Sequence, residues 1–318
     1  MTSPTPPAFS GLWVPLVTPF RDQAVDHEAL ATLTRALAPT GIAGFVVCGT
    51  TGEAPALGEE EQLTCLDTVA RNAQGLPLVM GLSGYHLGDT RAWVERLSAL
   101  GTARVPSLRG LLVPAPHYVR PSQAGLRLWF ETLADASSLP LIVYDIPYRT
   151  GAVLARETLL ALAAHPNIRA VKDCGGDAGK TQALIADGRL AVLAGEDIQI
   201  FGNVAQGGAG AIAASAHLHT ERFVAVLKAL ARADLEAARA QWQPLVPLIE
   251  LLFAEPNPGP VKAMLARQGL IRAEVRAPMT GISAALQQRL GALFDAVPAL
   301  QAAPSDQPAA TSARTPEC

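Results

Sequence analysis

The chain has 318 residues, 49% of them hydrophobic and 17% charged, with a formal net charge of −3. That supplies a large apolar core and excludes both a basic nucleic-acid footprint and a charge-rich unfolded chain. No apolar stretch is long enough to span a bilayer without Gly, Pro or a charge, so neither nucleic acid nor membrane is an expected partner.

Residues 1–7 lack the basic and apolar regions of a signal peptide. Cys48, Cys65, Cys174 and Cys318 lie far apart, with no CxxC pair. They read as reduced thiols, and the expected location is the cytoplasm. Residues 1–10 are expected to form a disordered tail. After it, short apolar runs alternate with helix-patterned segments. The run 12–17 comes first, and Asp26 is placed to cap a helix to Leu37, with Leu30, Leu33 and Leu37 on one face. The run 42–48 precedes helix 59–72, 77–81 precedes 90–100, and 108–113 precedes 122–136. The same rhythm continues with 141–145 and 155–164, 168–172 and 180–187, 190–194 and 198–205, then 209–213 and 220–232. The runs are rich in Val, Ile and Leu without strict polar alternation, as parallel strands covered on both faces are. Eight such units predict an α/β fold, a (β/α)8 TIM barrel over 11–232. Three further helical patterns, 233–252, 260–270 and 282–297, predict a small C-terminal helical appendage over 233–298. The Pro/Ser/Ala-rich segment 299–318 is expected to be disordered.

Lys172 is one of only four lysines, with Lys180, Lys228 and Lys262. It ends the apolar run 168–172, just before Asp173-Cys174-Gly175-Gly176. A lysine held in an apolar site loses hydration, which disfavours the ammonium form. The neutral amine is a nucleophile suited to a Schiff base with a carbonyl substrate. The bland alternative is a lysine snorkelling to solvent. The barrel reading weighs against that alternative, because chemistry in such barrels gathers at the C-terminal strand ends. Five of those ends carry Gly49-Thr50-Thr51-Gly52-Glu53, Pro116-His117-Tyr118, Tyr144 with Arg149 beyond it, Lys172, and Gly195-Glu196-Asp197. The Thr pair suits a carboxylate held by hydroxyls and backbone N–H groups, or is simply a polar turn. Tyr144 suits proton transfer beside an iminium, or is a strand-end aromatic. A Tyr–Thr–Tyr hydroxyl chain would relay protons to solvent. Arg149 suits bidentate capture of a substrate carboxylate, or is a surface arginine.

Other motifs carry less. Gly179-Lys180-Thr181 fails as a phosphate-binding loop because Cys174 stands where its first glycine belongs. His217 and His219 lack accompanying ligands, so no metal is expected. The glycine-rich run 207–210 lacks the helix spacing of a dinucleotide site.

The order and spacing of several segments resemble the dihydrodipicolinate synthase / N-acetylneuraminate lyase family of pyruvate-dependent class I aldolases. They are Val17-Thr18-Pro19-Phe20, the Gly49 to Glu53 loop, Pro116-His117-Tyr118-Val119-Arg120-Pro121-Ser122-Gln123-Ala124-Gly125-Leu126, and Tyr144 to Gly151. Val171-Lys172-Asp173, Leu193-Ala194-Gly195-Glu196-Asp197, Glu255-Pro256-Asn257-Pro258-Gly259-Pro260-Val261-Lys262 and Arg276-Ala277-Pro278-Met279-Thr280 complete the set. The resemblance runs from about Gly11 to Asp295. It implies a Schiff base between Lys172 and pyruvate, with Tyr144 as the general acid and base. It implies that Thr50 links Tyr144 to Tyr118, and that Tyr118 comes from a neighbouring subunit of a homotetramer, a dimer of dimers. Thr51 and the backbone of the Thr pair would hold the pyruvate carboxylate. Gly195 and the Ile212 backbone would line the pocket, and Arg149 would bind the carboxylate of aspartate semialdehyde. No cofactor is implied, since the reactive amine belongs to the protein.

The implied activity is a lyase condensing pyruvate with L-aspartate semialdehyde to 4-hydroxy-tetrahydrodipicolinate, in lysine biosynthesis by way of diaminopimelate. The alternatives are a 2-keto-3-deoxy sugar-acid aldolase or dehydratase of the same family, and a catalytically silent binding barrel. The chain departs from the family pattern in four places. His117 replaces a usual tyrosine, and Gly81-Leu82-Ser83-Gly84-Tyr85 replaces a Gly-x-Gly-x-Asn loop. Asp173 replaces a usual glutamate, as in sugar-acid dehydratase relatives. Glu59 and Gln62 stand where lysine-inhibited members carry histidines, so weak or absent lysine feedback is expected.

Overall fold

The computed structural model describes residues 9–297. Of the expected tails 1–10 and 299–318, all but Phe9 and Ser10 lie outside the described residues. Phe9, inside the expected N-terminal tail, is buried with its ring 5.8 Å from that of Trp13.

Eight parallel strands close into a barrel. In chain order they are β1 (Gly11–Pro15), β2 (Gly44–Val47), β3 (Leu78–Gly81), β4 (Leu108–Pro114), β5 (Leu141–Asp145), β6 (Ile168–Asp173), β7 (Ala191–Ala194) and β8 (Gly210–Ile212). Each strand pairs with the next, and β8 returns to β1 with Trp13 opposite Ile212. All eight expected runs are strands, and the (β/α)8 expectation holds.

Helices cover the barrel. They are α1 (His27–Leu37), α2 (Glu59–Asn72), α3 (Leu87–Ala103), α4 (Gln123–Asp135), α5 (Arg156–Leu162), α6 (Ala178–Asp187), α7 (Ile200–Ala205) and α8 (Thr220–Ala231). Three of them start after short polar side chains that accept from the first-turn N–H groups. Asp26 accepts from Ala29, Ser122 from Gly125 and Asp177 from Lys180. The helix expected from residue 90 starts three residues earlier, because the His86 side chain accepts from the N–H of Asp89 and caps it.

Beyond the barrel the expected helix 233–252 is two helices, α9 (Leu235–Trp242) and α10 (Val246–Leu252). Pro244 lies between them, where its ring and missing N–H end the first helix. With α11 (Gly259–Arg267) and α12 (Ala284–Ala296), the C-terminal segment holds four helices rather than three. Besides four short 3-10 turns among the described residues, two small elements depart from the expectation. One is the two-stranded pairing of Phe20–Arg21 with Ala24–Val25, and the other is the helical turn Pro147–Thr150 after β5.

The period of two along each strand decides which side chain meets which layer. On β5 and β6 the residues Ile142, Tyr144 and Ala170 belong to an apolar cluster with Trp13, Val46, Val79, Leu112, Leu193 and Ile212, so every strand contributes at least one residue to the barrel interior. Leu141, Val143 and Val171 instead join the larger core beneath the helices, as does Ile168, which precedes a register shift that breaks the alternation at the start of β6. Tyr144 lies opposite Lys172 in register, and Asp145 lies opposite Asp173. The first pair therefore faces the lumen and the second faces the helices. On that outer face Lys180 of α6 bonds Asp145 at 2.5 Å, and Thr181 donates to Asp173. The Gly-Lys-Thr segment is thus a clamp between α6 and the barrel wall. Among the described residues no helix is long and apolar enough to cross a membrane.

Candidate active site

At the C-terminal mouth, Lys172 is 6% exposed, and its amine lies 4.5 Å from the centroid of the Tyr144 ring. It forms no ion pair among the described residues. Gly195, at the end of β7, makes room for it. A Cβ there would stand 2.8 Å from the Lys172 Cγ and 3.0 Å from its Cε, and would overlap the Cys174 sulfur. Glycine at this position is therefore a steric requirement of the lysine.

The Tyr144 hydroxyl is buried, which pushes its pKa well above the ordinary phenol value. Neighbouring Cys174 and Tyr148 add to the rise, while a hydrogen bond with Thr50 and the positive charge of Arg149 oppose it. The phenol is therefore held protonated, beside both the amine and the Thr50 hydroxyl. Burial raises the Cys174 thiol in the same way, so it stays uncharged under the lysine.

Opposite stands the Gly49–Thr51 turn that leads toward α2. Its shape is fixed by Glu53 N–H donating to the Thr50 carbonyl at 3.1 Å and by the Thr18 hydroxyl donating to the Gly52 carbonyl at 2.7 Å. Thr51 is buried, and the backbone N–H groups of Thr50 and Thr51 have no acceptor among the described residues. Those donors make the turn a receptor for an anionic group. On the far rim, burial pushes the Asp197 carboxyl up to about 6, opposed by its bond from the Ser215 N–H and by the charge of Lys172.

A small cavity joins these groups. Thr50, Thr51, Tyr144, Arg149, Lys172, Gly195 and Ile212 all line it, so seven of the eight expected residues converge. Tyr118 does not. It is 91% exposed, at the tip of the loop after β4, with φ of 69° and its N–H bonded to the Thr150 carbonyl. Within one chain the Tyr–Thr–Tyr series therefore stops at Thr50.

The sequence profile of the dihydrodipicolinate synthetase family matches residues 8–297. The chain belongs to this family. It is similar to 4-hydroxy-tetrahydrodipicolinate synthase 2 of Clostridium acetobutylicum, 36% identical over 284 residues that cover 88% of this chain and 97% of that one. The 4-hydroxy-tetrahydrodipicolinate synthase of Hyphomonas neptunium is 37% identical over 296 residues, 92% of this chain and 98% of that one. The crystal structure of the chloride-inhibited dihydrodipicolinate synthase of Acinetobacter baumannii, complexed with pyruvate, superposes with a TM-score of 0.86. It is 30% identical and covers 92% of this chain and 99% of that one.

Several cavity residues were not singled out from the sequence. Glu196, Asp197 and Tyr148 lie in recognised loops, but their side chains carried no separate signal. Phe253 and Asn257 come from the C-terminal segment and also line the cavity. Asn257 was visible only as part of the Glu255-to-Lys262 motif.

His217 proves to be a structural bridge. Its Nε2 accepts from the Val17 N–H at 3.2 Å, and its Nδ1 lies 2.8 Å from the Ala214 carbonyl. Burial pushes its pKa down to about 4, so it is neutral. His219 stacks on Phe294 at 4.6 Å. No cluster of three or more His, Cys, Asp or Glu that could hold a metal is found among the described residues.

Proposed function

We propose that the protein is a Schiff-base lyase that condenses pyruvate with L-aspartate semialdehyde to give 4-hydroxy-tetrahydrodipicolinate. The observation that carries this reading is the pairing of a buried, salt-bridge-free Lys172 with the protonated Tyr144 beside it, across from unoccupied N–H donors at Thr50 and Thr51. Lys172 attacks the keto carbon, and the carbinolamine loses water to give an imine. Tyr144 passes protons to and from that centre, and the Thr50 hydroxyl links it onward to Tyr118. A methyl proton of the imine passes to the Tyr144–Thr50 hydroxyl pair, and the enamine attacks the aldehyde carbon as the aldehyde oxygen takes up a proton, forming the new carbon–carbon bond. The amino group of the aldehyde substrate then displaces Lys172 from the imine carbon, closing the ring and freeing the amine. The Thr turn holds the keto-acid carboxylate, and Gly195 and Ile212 close the pocket around it.

Arg149, at the mouth, takes the carboxylate of the aldehyde substrate. Tyr118 completes the proton relay in a neighbouring subunit of a homotetramer, which accounts for a tyrosine held out in solvent by the single chain. The free thiols Cys48, Cys65 and Cys174 fit a reducing cytoplasm. Weak or absent feedback by lysine belongs to the same proposal, and an inhibition titration checks it.

A substrate panel with the Arg149→Ala variant tests the choice of aldehyde. Turnover of the semialdehyde is expected to fall about 10- to 100-fold, as when one charge-assisted contact to a carboxylate is lost. Unchanged semialdehyde turnover, or preferential turnover of a 2-keto-3-deoxy sugar acid, would sink the assignment.

A further inference from the structure

Asn257 lies outside the barrel in sequence, in the short segment before α11, yet its side chain reaches the mouth. Its Nδ2 donates to the Thr51 Oγ1 at 3.0 Å, and the two residues are 8% and 4% exposed. The rest of the local hydrogen bonding is incomplete in an informative way. The Thr51 hydroxyl accepts from Asn257 but donates to nothing among the described residues. The Asn257 Oδ1 is itself buried without a partner. Both residues line the cavity that holds Lys172. Buried polar groups are normally satisfied, so a Thr51 hydroxyl proton with no acceptor at the cavity calls for an accepting ligand; the Asn257 Oδ1, itself an acceptor, cannot pair with an anion.

We infer that Asn257 is a positioning residue for the keto-acid carboxylate. By filling an acceptor lone pair of Thr51, it turns the hydroxyl proton away from itself and into the cavity. A threonine hydroxyl rotates freely and adopts whichever sense its neighbours allow. With an amide N–H pressed on its oxygen, the hydroxyl presents its proton to the anion that the Thr50 and Thr51 N–H groups also face. The C-terminal segment thereby sets the binding polarity of a loop at the end of β2. This inference rests on the reading that Thr51 receives a 2-keto acid.

The test uses the full chain and pyruvate alone. The half-saturation concentration for the borohydride-trapped imine is measured for wild type, Asn257→Ala, Asn257→Asp, Thr51→Val and the Thr51→Val/Asn257→Ala pair. Loss of the amide that orients the Thr51 proton should raise it about three- to tenfold in Asn257→Ala, the upper value if the charge-assisted hydrogen bond is lost outright. Asn257→Asp keeps the shape but can only accept, so it turns the Thr51 hydroxyl toward itself and sets a negative charge beside the substrate's. It should do at least as much damage, with trapping at saturating pyruvate near wild type. In the Thr51→Val background, Asn257→Ala should add nothing. A full additional loss there, or an unchanged pyruvate half-saturation in Asn257→Asp, overturns the inference while leaving the Schiff-base reading intact. A wild-type protein that traps no pyruvate overturns that reading and this inference with it.

Discussion

Three of the four lysines are buried, and two of those differ sharply from the third. Lys262, in α11, is completely buried and lies 2.5 Å from Glu53, with its amine also donating to the Glu274 carbonyl at 2.8 Å and 4.1 Å from the Phe20 ring. Burial pushes its pKa down, and Glu53 opposes that. Lys180 is held the same way by Asp145 on the outer face of β5. Lys172 has the burial without the carboxylate, and an aromatic ring where the others have an anion. Paired lysines fasten one layer to another. The C-terminal helices are tied to the barrel loop through Glu53, Lys262 and Arg276, whose N–H donates to Glu53 and whose guanidinium grips Glu61. An unpaired one is left free to react. The chemistry thus follows from which partner is missing, more than from burial itself.

The comparison can be broken most severely at the unpaired lysine. Lys172→Met should lower kcat about 10⁴-fold or more, as loss of a covalent nucleophile does, with the melting temperature held or raised because no ion pair is lost. Lys262→Met should do the reverse. It strands the buried Glu53 carboxylate and should cost about 3–5 kcal/mol in a denaturant titration. If Lys172→Met proves the more destabilising of the two, the distinction between reactive and fastening lysines fails. Tyr144→Phe removes the phenol but keeps the ring, and should lower turnover about 10²- to 10³-fold with the protein still folded.

The smallest effect concerns pH and a buried group away from the amine. His217 is neutral in the folded chain, with its pKa down at about 4 against an ordinary 6.5. Between those values the unfolded chain binds a proton that the folded chain refuses. Stability from this group is therefore complete above 6.5 and declines as pH falls toward 4, by roughly 3 kcal/mol at most. Asp197 runs the other way. Its pKa, raised from 3.8 to about 6, gives stability that is complete below 3.8 and lost as pH rises through 6. The two partly cancel in wild type, so the variants separate them. His217→Gln should lose the acid sensitivity, and Asp197→Asn should expose it in full. Equal pH profiles for both variants and wild type would contradict this assignment.

Much of this was legible beforehand, for reasons that differ by residue. The strands announced themselves because a wall covered on both faces must be continuously apolar. Lys172 stood out because it interrupts that rule at a strand end. Partners distant in sequence were not legible. Nothing in Lys180 or Lys262 indicates an ion pair with Asp145 or Glu53, since those contacts exist only once α6 and α11 pack. The same holds for Asn257, which is 206 residues from Thr51. The break at Pro244 was readable in principle, but a continuous helical period masked it.

Reductive trapping tests the central contrast most directly. The full chain is mixed with pyruvate, reduced with borohydride and mapped by peptide mass. One pyruvate-derived adduct per chain, on the peptide carrying Lys172 and absent from Lys172→Met, is the expected result. An adduct on Lys180, Lys228 or Lys262, or none at all, would contradict it.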